Sequence, residues 1–246
     1  MKHIASVSFG KDSLYMLLRL IETGAPLDEV VFYDTGMEFQ AIYDTRDAVL
    51  PLLAKHGIAY KELTPPPDCA FLYKMFDKPV EGRTNGFHYG YSWCGGRCRW
   101  GTTDKLKALD KYAEKSEAVV YIGIAADETD RLTKERKEYK RFPLAQWGAV
   151  EADCLRGCYD RGFEWLENGH RLYDLLDRVS CWCCTNKNLR ELRNIRQYLP
   201  EYWEKLKDLQ RRTDRPMKGE GKSVFDLDAR FAAEDEAQKR QTVHGG

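Results

Sequence analysis

The feature that most constrains this fold is an alternation of short apolar runs with helical segments across residues 1–63. Ile4–Ser8, Val30–Tyr33 and Ile58–Leu63 are apolar runs with β-branched or aromatic residues, which predict buried strands. Between them, Asp12–Thr23 and Glu38–His56 carry apolar residues at helical spacing. A β-α-β-α-β order predicts an α/β fold in which a parallel sheet is doubly wound, with helices on both faces.

The rest of the chain has a different character. Pro65–Pro67 interrupts the alternation, and residues 64–104 are interpreted as a long irregular insertion, which in compact domains is often functional. The pattern then resumes with a predicted helix over Lys105–Lys115 and a predicted strand over Val119–Gly123. Further helices are expected at Glu151–Arg161, Leu189–Tyr198 and Glu201–Arg211.

These patterns predict three regions. We expect an α/β domain over residues 1–148, which includes the insertion, and a helical cysteine-containing extension over 149–211. Residues 212–246 are charged and poor in large apolar side chains, so we expect a tail that is partly ordered at best.

Composition narrows the functional classes. The chain has 246 residues, 39 basic and 39 acidic, which disfavours a globally basic nucleic-acid binder. Its first residues lack the apolar core of a signal peptide, and no stretch reaches the roughly 18 apolar residues of a membrane span. We therefore expect a cytoplasmic protein without a membrane partner. In that compartment, its eight cysteines favour metal, cluster or redox chemistry over structural disulfides.

The loop between the first strand and the first helix has a sequence suited to phosphate. It reads Ser8-Phe9-Gly10-Lys11-Asp12-Ser13. Amide groups at a helix N-terminus bind anions, serine hydroxyls donate hydrogen bonds, and lysine adds a positive charge. Asp12 is placed to help hold Mg²⁺ beside a triphosphate. The spacing is not that of a Walker A loop.

Four elements in order resemble one family. The loop resembles the S-x-G-x-D-S signature of the PP-loop ATP pyrophosphatase superfamily, within the branch of phosphoadenosine phosphosulfate (PAPS) reductases and the small subunit of ATP sulfurylase. Asp34-Thr35-Gly36 opens an element similar to D-T-G-x-x-F, and Gly123–Arg131 is similar to G-I-R-x-D-x-S-x-x-R. Pro143-Leu144, followed by Trp147, matches P-L-x-x-W. The resemblance covers roughly residues 1–200 and implies an adenine nucleotide alpha hydrolase-like fold.

The resemblance also implies a site. An adenine nucleotide would lie across the carboxyl ends of the strands, with Lys11 and Asp12 catalytic. The residues implied in nucleotide binding are Ser8, Phe9, Gly10, Lys11, Asp12, Ser13, Asp34, Thr35, Gly36 and Gly123. Because reductases of this branch have lost the K-D-S part, its presence here points to ATP with Mg²⁺.

An anionic substrate group is assigned to Arg131, with Asp127 beside it. A guanidinium matches phosphate or sulfate oxygens bidentately. The alternative is a surface ion pair of Arg131 with Asp127 or Glu128. Ala125 replaces an arginine of the family pattern, so the anion pocket is expected to differ.

The cysteines form two local groups, Cys94-x-x-x-Cys98 and Cys181-x-x-Cys184. Such spacings allow both sulfurs of a pair to reach one metal centre, and two pairs provide four thiolates for a [4Fe–4S] cluster or Zn²⁺. The resemblance to cluster-containing adenylylsulfate reductases supports Cys98, Cys181 and Cys184, and leaves Cys94 or Cys183 as the fourth ligand. The alternative is that these are reduced thiols packed beside tryptophans.

The other cysteines carry weaker signals. Cys154 and Cys158 share one face of a predicted helix and are interpreted as core thiols, while Cys69 has no pattern. Basic and aromatic residues surround Cys98, which suits a nucleic-acid strand or an anionic nucleotide, or equally a solvated loop. They are Arg83, Arg97, Arg99, Lys105 and Lys107 with Tyr91, Trp93 and Trp100.

Three functions follow from these observations. The first is an ATP-using enzyme of sulfur metabolism that adenylylates a nucleic-acid or small-molecule acceptor and then transfers sulfur, using a sulfur donor or a partner protein. The second is a PAPS or adenylylsulfate reductase, which the absence of any cysteine after Cys184 disfavours. The third is a nucleotide-sensing partner subunit without catalysis of its own.

Overall fold

The computed structural model describes residues 1–82, 86–93, 98–133 and 137–244, with the side chains of Arg99 and of residues 242–244 outside the description. Cys94, Arg83 and Arg97, which the sequence singled out, lie outside these residues.

A five-stranded sheet forms the centre of the molecule, and all its pairings are parallel. Its strands are β1 (Lys2–Ser6), β2 (Glu29–Tyr33), β3 (Ala59–Leu63), β6 (Ala118–Ile122) and β7 (Lys140–Arg141). Their spatial order is β3-β2-β1-β6-β7. Strands β1 and β6 are adjacent although β2 and β3 lie between them in sequence, so the sheet winds outward in both directions from β1. The predicted doubly wound α/β fold is confirmed.

Helices cover both faces of this sheet. The first half of the chain contributes α1 (Lys11–Glu22), α2 (Gln40–Lys55) and α3 (Lys105–Lys115). Alternate strand residues point to opposite faces: Val30 and Phe32 join the large core with α1 and α2, whereas Val31 joins a smaller cluster with Ala113 of α3. The predicted Lys105–Lys115 helix has the observed bounds.

The segment between β3 and α3 is less irregular than expected. Pro79–Gly82 (β4) pairs antiparallel with Gly86–Tyr89 (β5), and two π-helical turns form at Tyr73–Asp77 and Arg99–Asp104. Aromatic packing holds these pieces together: the ring of Phe71 contacts Trp100, and that of Phe76 contacts Trp93. Local hydrophobic periodicity does not report such contacts, because they join residues of different short turns.

After β6 the chain is mainly helical. Short elements come first: α4 (Thr129–Leu132), α5 (Pro143–Gln146), α6 (Glu151–Tyr159), the hairpin β8 (Leu166–Glu167) and β9 (His170–Arg171), and α7 (Leu172–Leu175). The longer helices are α8 (Leu189–Tyr198), α9 (Pro200–Arg211) and α10 (Val224–His244). The two-residue strands of the hairpin are too short to give an alternating signal, so the sequence did not indicate them.

The C-terminal region differs from the expected tail. Helix α10 packs against α9, and its Val224, Leu227 and Phe231 are buried. The expectation of a partly ordered tail was wrong for this segment, because a few apolar residues spaced by three and four positions suffice to dock a helix that is otherwise charged. Within the described residues, no helix is both long and apolar enough to cross a bilayer.

Candidate functional site

The loop that follows β1 lies at the carboxyl edge of the sheet and turns at a strained residue. Phe9 has a φ of 56°, a left-handed conformation that is uncommon for residues other than glycine. Its side chain is buried in the core, and its carbonyl accepts a hydrogen bond from the Trp165 indole at 2.7 Å. Core packing and this bond hold the turn, so Phe9 can contribute only backbone atoms to a nucleotide.

Short polar contacts organise the rest of the loop. The Ser8 amide donates to the Ser13 hydroxyl at 3.1 Å, and the Ser13 hydroxyl contacts the Gly10 carbonyl at 3.2 Å. The Lys11 amide donates to the hydroxyl of Tyr173, 2.8 Å away. These bonds fix the start of α1, whose first-turn amides have no partners within the helix.

A cavity of about 470 Å³ opens in front of this loop, a volume within the range of small-molecule sites. Six residues implied in nucleotide binding line it: Ser8, Gly10, Lys11, Asp12, Ser13 and Gly123. The first five come from the loop and the start of α1, and Gly123 follows β6. The structure thus brings together two segments more than 100 residues apart in sequence.

Gly123 permits this close approach. A Cβ atom at this position would lie 2.8 Å from the Ser13 Cα and 2.9 Å from its nitrogen. Only glycine allows β6 to end so near the N-terminus of α1 without a backbone shift.

Lys11 lines the cavity in front of the loop, which we call the loop cavity, and is paired with two carboxylates there. Its Nζ contacts Asp12 Oδ1 at 2.9 Å and Glu151 Oε2 at 2.6 Å. Burial lowers the pKa of Lys11, but the two carboxylates outweigh burial and raise it above its ordinary value. Burial raises the pKa of Asp12, an effect that Lys11 opposes and that Glu151 and Glu128 reinforce. Lys11 therefore stays cationic at neutral pH.

Two further acidic residues line the loop cavity together with Asp12: Glu128, which the sequence named only as a possible partner of Arg131, and Glu151, which it did not single out. The three carboxylates of the described cavity wall do not converge on one metal-binding point. A Mg²⁺ ion here would therefore take its other oxygen ligands from the triphosphate and water. Tyr173, which holds the Lys11 amide, was also missed; it lies 162 residues away, so no local signal could reveal it.

The turn after β2 is rigid. The Asp34 carboxylate accepts bonds from the Gly36 amide and the Tyr43 hydroxyl, both at 2.7 Å, and Gly36 has a φ of 71°. Thr35 is buried, and its hydroxyl contacts the Glu38 carboxylate at 3.0 Å. In this structure Asp34 and Gly36 shape the turn, and Thr35 faces a second cavity that contains cysteines.

Of the two residues implied in anion binding, Asp127 and Arg131, only Arg131 lines the loop cavity. Asp127 accepts a hydrogen bond from the Glu151 amide at the start of α6, 3.1 Å away, and so acts as a helix cap. Arg131 pairs with Glu128, as the surface-pair alternative proposed, and it also lines the loop cavity. A bound anion would compete with Glu128 for this guanidinium.

Cysteines from two distant segments meet around a second cavity, of about 250 Å³. Cys98 comes from the insertion, and Cys181, Cys183 and Cys184 come from the segment before α8. That segment is anchored to the turn after β2 by a hydrogen bond from the Trp182 amide to the Met37 carbonyl, 3.0 Å long. We call this the cysteine cavity.

The thiols of the cysteine cavity differ in exposure: Cys183 is buried, and Cys98, Cys181 and Cys184 are partly exposed. Burial raises the pKa of Cys181 and of Cys183 well above that of a free thiol. The Cys98 sulfur accepts a hydrogen bond from the Gly101 amide at 3.1 Å, an arrangement also seen at ligating thiolates. In the described part of the chain, no three cysteine, histidine or acidic side chains converge closely enough to hold a metal ion.

The chemistry of the donor set fits a sulfur-ligated group, because four cysteine thiols line this one cavity and thiolates are the ligands of both iron–sulfur clusters and Zn²⁺. Cys94, the other predicted ligand, lies outside the described residues. Metal ligation by Cys94, Cys98, Cys181 and Cys184 therefore stays a prediction.

The two cavities adjoin. Both are lined by Ser8, Thr102, Lys105, Val179 and Ser180. Lys105, which the sequence placed at the start of a predicted helix and among the basic residues around Cys98, is a half-buried cation at this junction. The loop after β1 and the thiols thus line neighbouring cavities that share part of their walls.

Two further cysteines lie under the loop. Cys154 and Cys158 of α6 are fully buried, and the Cys158 thiol contacts the Lys11 carbonyl at 3.4 Å. Burial raises the pKa of Cys154 and raises that of Cys158 to about 12. Their interpretation as core thiols is confirmed, since both are fully buried and pack against the loop.

Comparison with known proteins agrees with this architecture. The chain is similar to the uncharacterized protein MJ0066 of Methanocaldococcus jannaschii, with 25% identity over 228 residues, 85% of this chain and 41% of that protein. It is also similar to the uncharacterized protein MJ0973 of the same organism, with 26% identity over 226 residues, 84% of this chain and 47% of that protein. The chain spans less than half the length of these curated relatives.

A family model, the phosphoadenosine phosphosulfate reductase domain, matches residues 2–151. This range includes β1, the loop, the turn after β2 and the segment after β6, all of which meet at the carboxyl edge of the sheet. The chain therefore belongs to the phosphoadenosine phosphosulfate reductase domain family, within the PP-loop superfamily of nucleotide-binding enzymes.

Proposed function

We propose that this protein binds ATP with Mg²⁺ at the loop cavity, activates an acceptor by adenylylation and transfers sulfur to it. The observation that carries this proposal is that the loop cavity and the cysteine cavity adjoin and share five lining residues. Neighbouring positions for a triphosphate and for a group of thiols suit an enzyme that uses both.

The first step uses the loop. An oxygen of the acceptor attacks the α-phosphorus of ATP, the bond from that phosphorus to the bridging oxygen breaks, and pyrophosphate leaves with Mg²⁺. Lys11 and the amides at the start of α1 neutralise the developing charge, and Asp12 helps to hold the Mg²⁺ ion that the triphosphate brings. The ion pairs of Lys11 keep its side chain in place before the nucleotide arrives.

The second step uses the junction of the two cavities. A sulfide-level donor attacks the acceptor carbon that carries the adenylate, the carbon–oxygen bond breaks, and AMP leaves with the electron pair. Cys98, Cys181 and Cys184, with Cys94 or Cys183, would hold a [4Fe–4S] cluster or Zn²⁺. A bound cluster would supply a coordination site for the donor sulfur. Lys105 lies where it would pair with the departing phosphate.

The test measures pyrophosphate release from Mg-ATP with the full chain, prepared without oxygen, and pooled acceptors such as bulk tRNA or small metabolites. We expect Lys11→Ala to reduce the rate about 100-fold or more, as when a preorganised charge-stabilising group is removed. Lys111→Ala is the matched control, because Lys111 is exposed on α3.

Two other outcomes would contradict the proposal. Release of sulfite from PAPS with thioredoxin, without pyrophosphate from ATP, would indicate a reductase. Binding of Mg-ATP that never yields pyrophosphate with any acceptor pool would indicate a nucleotide-sensing subunit.

A further inference from the structure

A buried lysine lies beside the cysteine cavity without a hydrogen-bond partner. Lys187 is 2% exposed, and its Nζ has no acceptor among the described residues. It follows Cys184 by three positions, and its amide donates to the Cys184 carbonyl at 3.3 Å. A buried ammonium without partners is strongly unfavourable, so a chain seldom keeps one without a use.

A buried acidic residue at the start of α8, Glu191, forms no ion pair with Lys187 among the described residues. Its carboxylate oxygens accept bonds from three amides: those of Asp177 at 3.1 Å, Arg178 at 3.4 Å and Asn188 at 2.8 Å. The carboxylate caps the helix, and its negative charge acts on the lysine only without direct contact.

The surroundings of the Lys187 ammonium indicate what would balance its charge. The Lys187 Nζ lies over the Phe39 ring, 5.3 Å from its centroid, and this contact recovers only part of the lost hydration. Burial lowers the pKa of Lys187, and negative charge on Cys184, Glu191, Cys181 and Cys183 opposes this shift. Neutral thiols would give the ammonium little, whereas ligated thiolates would balance its charge.

A second buried donor without an acceptor among the described residues lies in the wall of the cysteine cavity itself. Trp93 lines it and is buried, and its Nε1 also lacks an acceptor among the described residues. Buried donors are normally hydrogen-bonded. Two of them near four thiols indicate that a bound group with negative charge or hydrogen-bond acceptors completes this site.

We propose that Lys187 is a positioning residue, which supplies the internal positive charge for the thiolates of Cys181, Cys183 and Cys184 when the cysteine cavity holds its metal centre. This inference rests on the metal centre of the proposed function. It assigns the lysine a role in retaining and tuning that centre rather than in folding the chain.

The experiment compares wild type with Lys187→Met, Lys187→Gln and the exposed control Lys111→Met. Each full-length chain is reconstituted without oxygen with ferrous iron and sulfide, and iron and labile sulfide are counted before and during challenge with a chelator. We expect Lys187→Met to hold iron about 10- to 100-fold more weakly, which is typical for loss of a group that supports metal ligands. Lys187→Gln keeps N–H donors without the charge, so its iron retention should lie between those of wild type and Lys187→Met. The control should match wild type.

Two further readouts separate this role from a structural one. Urea unfolding of the metal-free chains should show Lys187→Met at least as stable as wild type, because an unpartnered buried ammonium is removed. The reduction potential of the loaded variant should shift to a more negative value, because a positive charge near the cluster favours its reduced form.

The proposal would be overturned if Lys187→Met held iron as tightly as wild type, or if it destabilised the metal-free chain while leaving the potential unchanged. These results would leave the proposed function intact. If wild type itself took up no iron and sulfide, both the lysine proposal and the metal centre would fail, while pyrophosphate release would still test the ATP step separately.

Discussion

At the scale of single residues, the loop combines strain with charge. Phe9 holds a left-handed backbone, and the buried Lys11 pairs with the partly buried Asp12. Such arrangements are unfavourable for the fold and persist where function requires a fixed geometry. The residues with the greatest mechanistic importance should therefore not be the ones that stabilise the protein most.

Asp12→Asn tests this separation. Because the pKa of Asp12 is raised in the folded state, the folded chain binds this proton more tightly than the unfolded chain does. Wild type therefore loses stability as the pH rises above the ordinary aspartate pKa, and the loss is complete above the folded pKa. We expect the variant to gain unfolding free energy relative to wild type as the pH is raised from about 4 to 7, measured by urea unfolding.

The same variant should lose Mg-ATP turnover by about 100-fold or more, because it lacks a carboxylate beside the triphosphate. Equal stability of the two chains at every pH would show that burial does not govern Asp12. Retained turnover would show that the metal ion does not need the Asp12 carboxylate.

At the scale of elements, packing against the rest of the protein determines whether a helix with a weak sequence signal forms. Helix α10 is charged along most of its length, but Val224, Leu227 and Phe231 are buried against the α8–α9 pair. Arg193 and Arg196 of α8 pair with Asp235 at 2.7 and 2.9 Å and so add polar contacts to this packing. Tertiary burial gives this helix most of its stability.

Two phenylalanines of α10 provide a matched comparison. Phe231 is 2% exposed and contacts the Trp203 ring, whereas Phe225 is 41% exposed. We expect Phe231→Ala to reduce the free energy of unfolding by about 3 kcal/mol. Phe225→Ala should change it by less than about 1 kcal/mol. Urea denaturation measures both, and similar effects of the two substitutions would show that α10 does not dock as described.

At the scale of the whole molecule, the described cysteines divide into three environments. Cys154 and Cys158 are buried behind the loop, and Cys69 is partly exposed and does not line the cysteine cavity. Cys98, Cys181 and Cys184 are partly exposed around that cavity, with the buried Cys183 among them. A metal centre would change only the last group. The arrangement therefore predicts a pattern of thiol reactivity that depends on metal loading.

Alkylation of the native chain with iodoacetamide, followed by mass spectrometry, measures this pattern. We expect Cys154 and Cys158 to react at least about 100-fold more slowly than Cys69, because buried thiols with raised pKa values form little thiolate. Loading with iron and sulfide should protect Cys98, Cys181 and Cys184 and leave Cys69 unchanged. Protection of Cys69, or none at Cys181, would contradict the assignment of the metal ligands.

The sequence by itself determined the sheet, the loop and the pairing of the cysteines into groups. These features are local: β-branched runs, helical periodicity and short ligand spacings are all encoded within about 20 residues. The order of the first three strands and the bounds of α3 and α8 followed from them. The positions of Ser8, Lys11 and Ser13 at a helix N-terminus followed as well.

Only the tertiary structure decided what surrounds these features. Tyr173, Glu151 and Trp165 contact the loop from more than 130 residues away. The Lys187 Nζ has no hydrogen-bond partner among the described residues, and the cysteines that precede it in sequence meet Cys98 around the cysteine cavity. The adjacency of the two cavities has the same origin. Contacts between distant segments are set by how helices pack on the sheet, and no local period records which side chains that packing leaves buried without a partner.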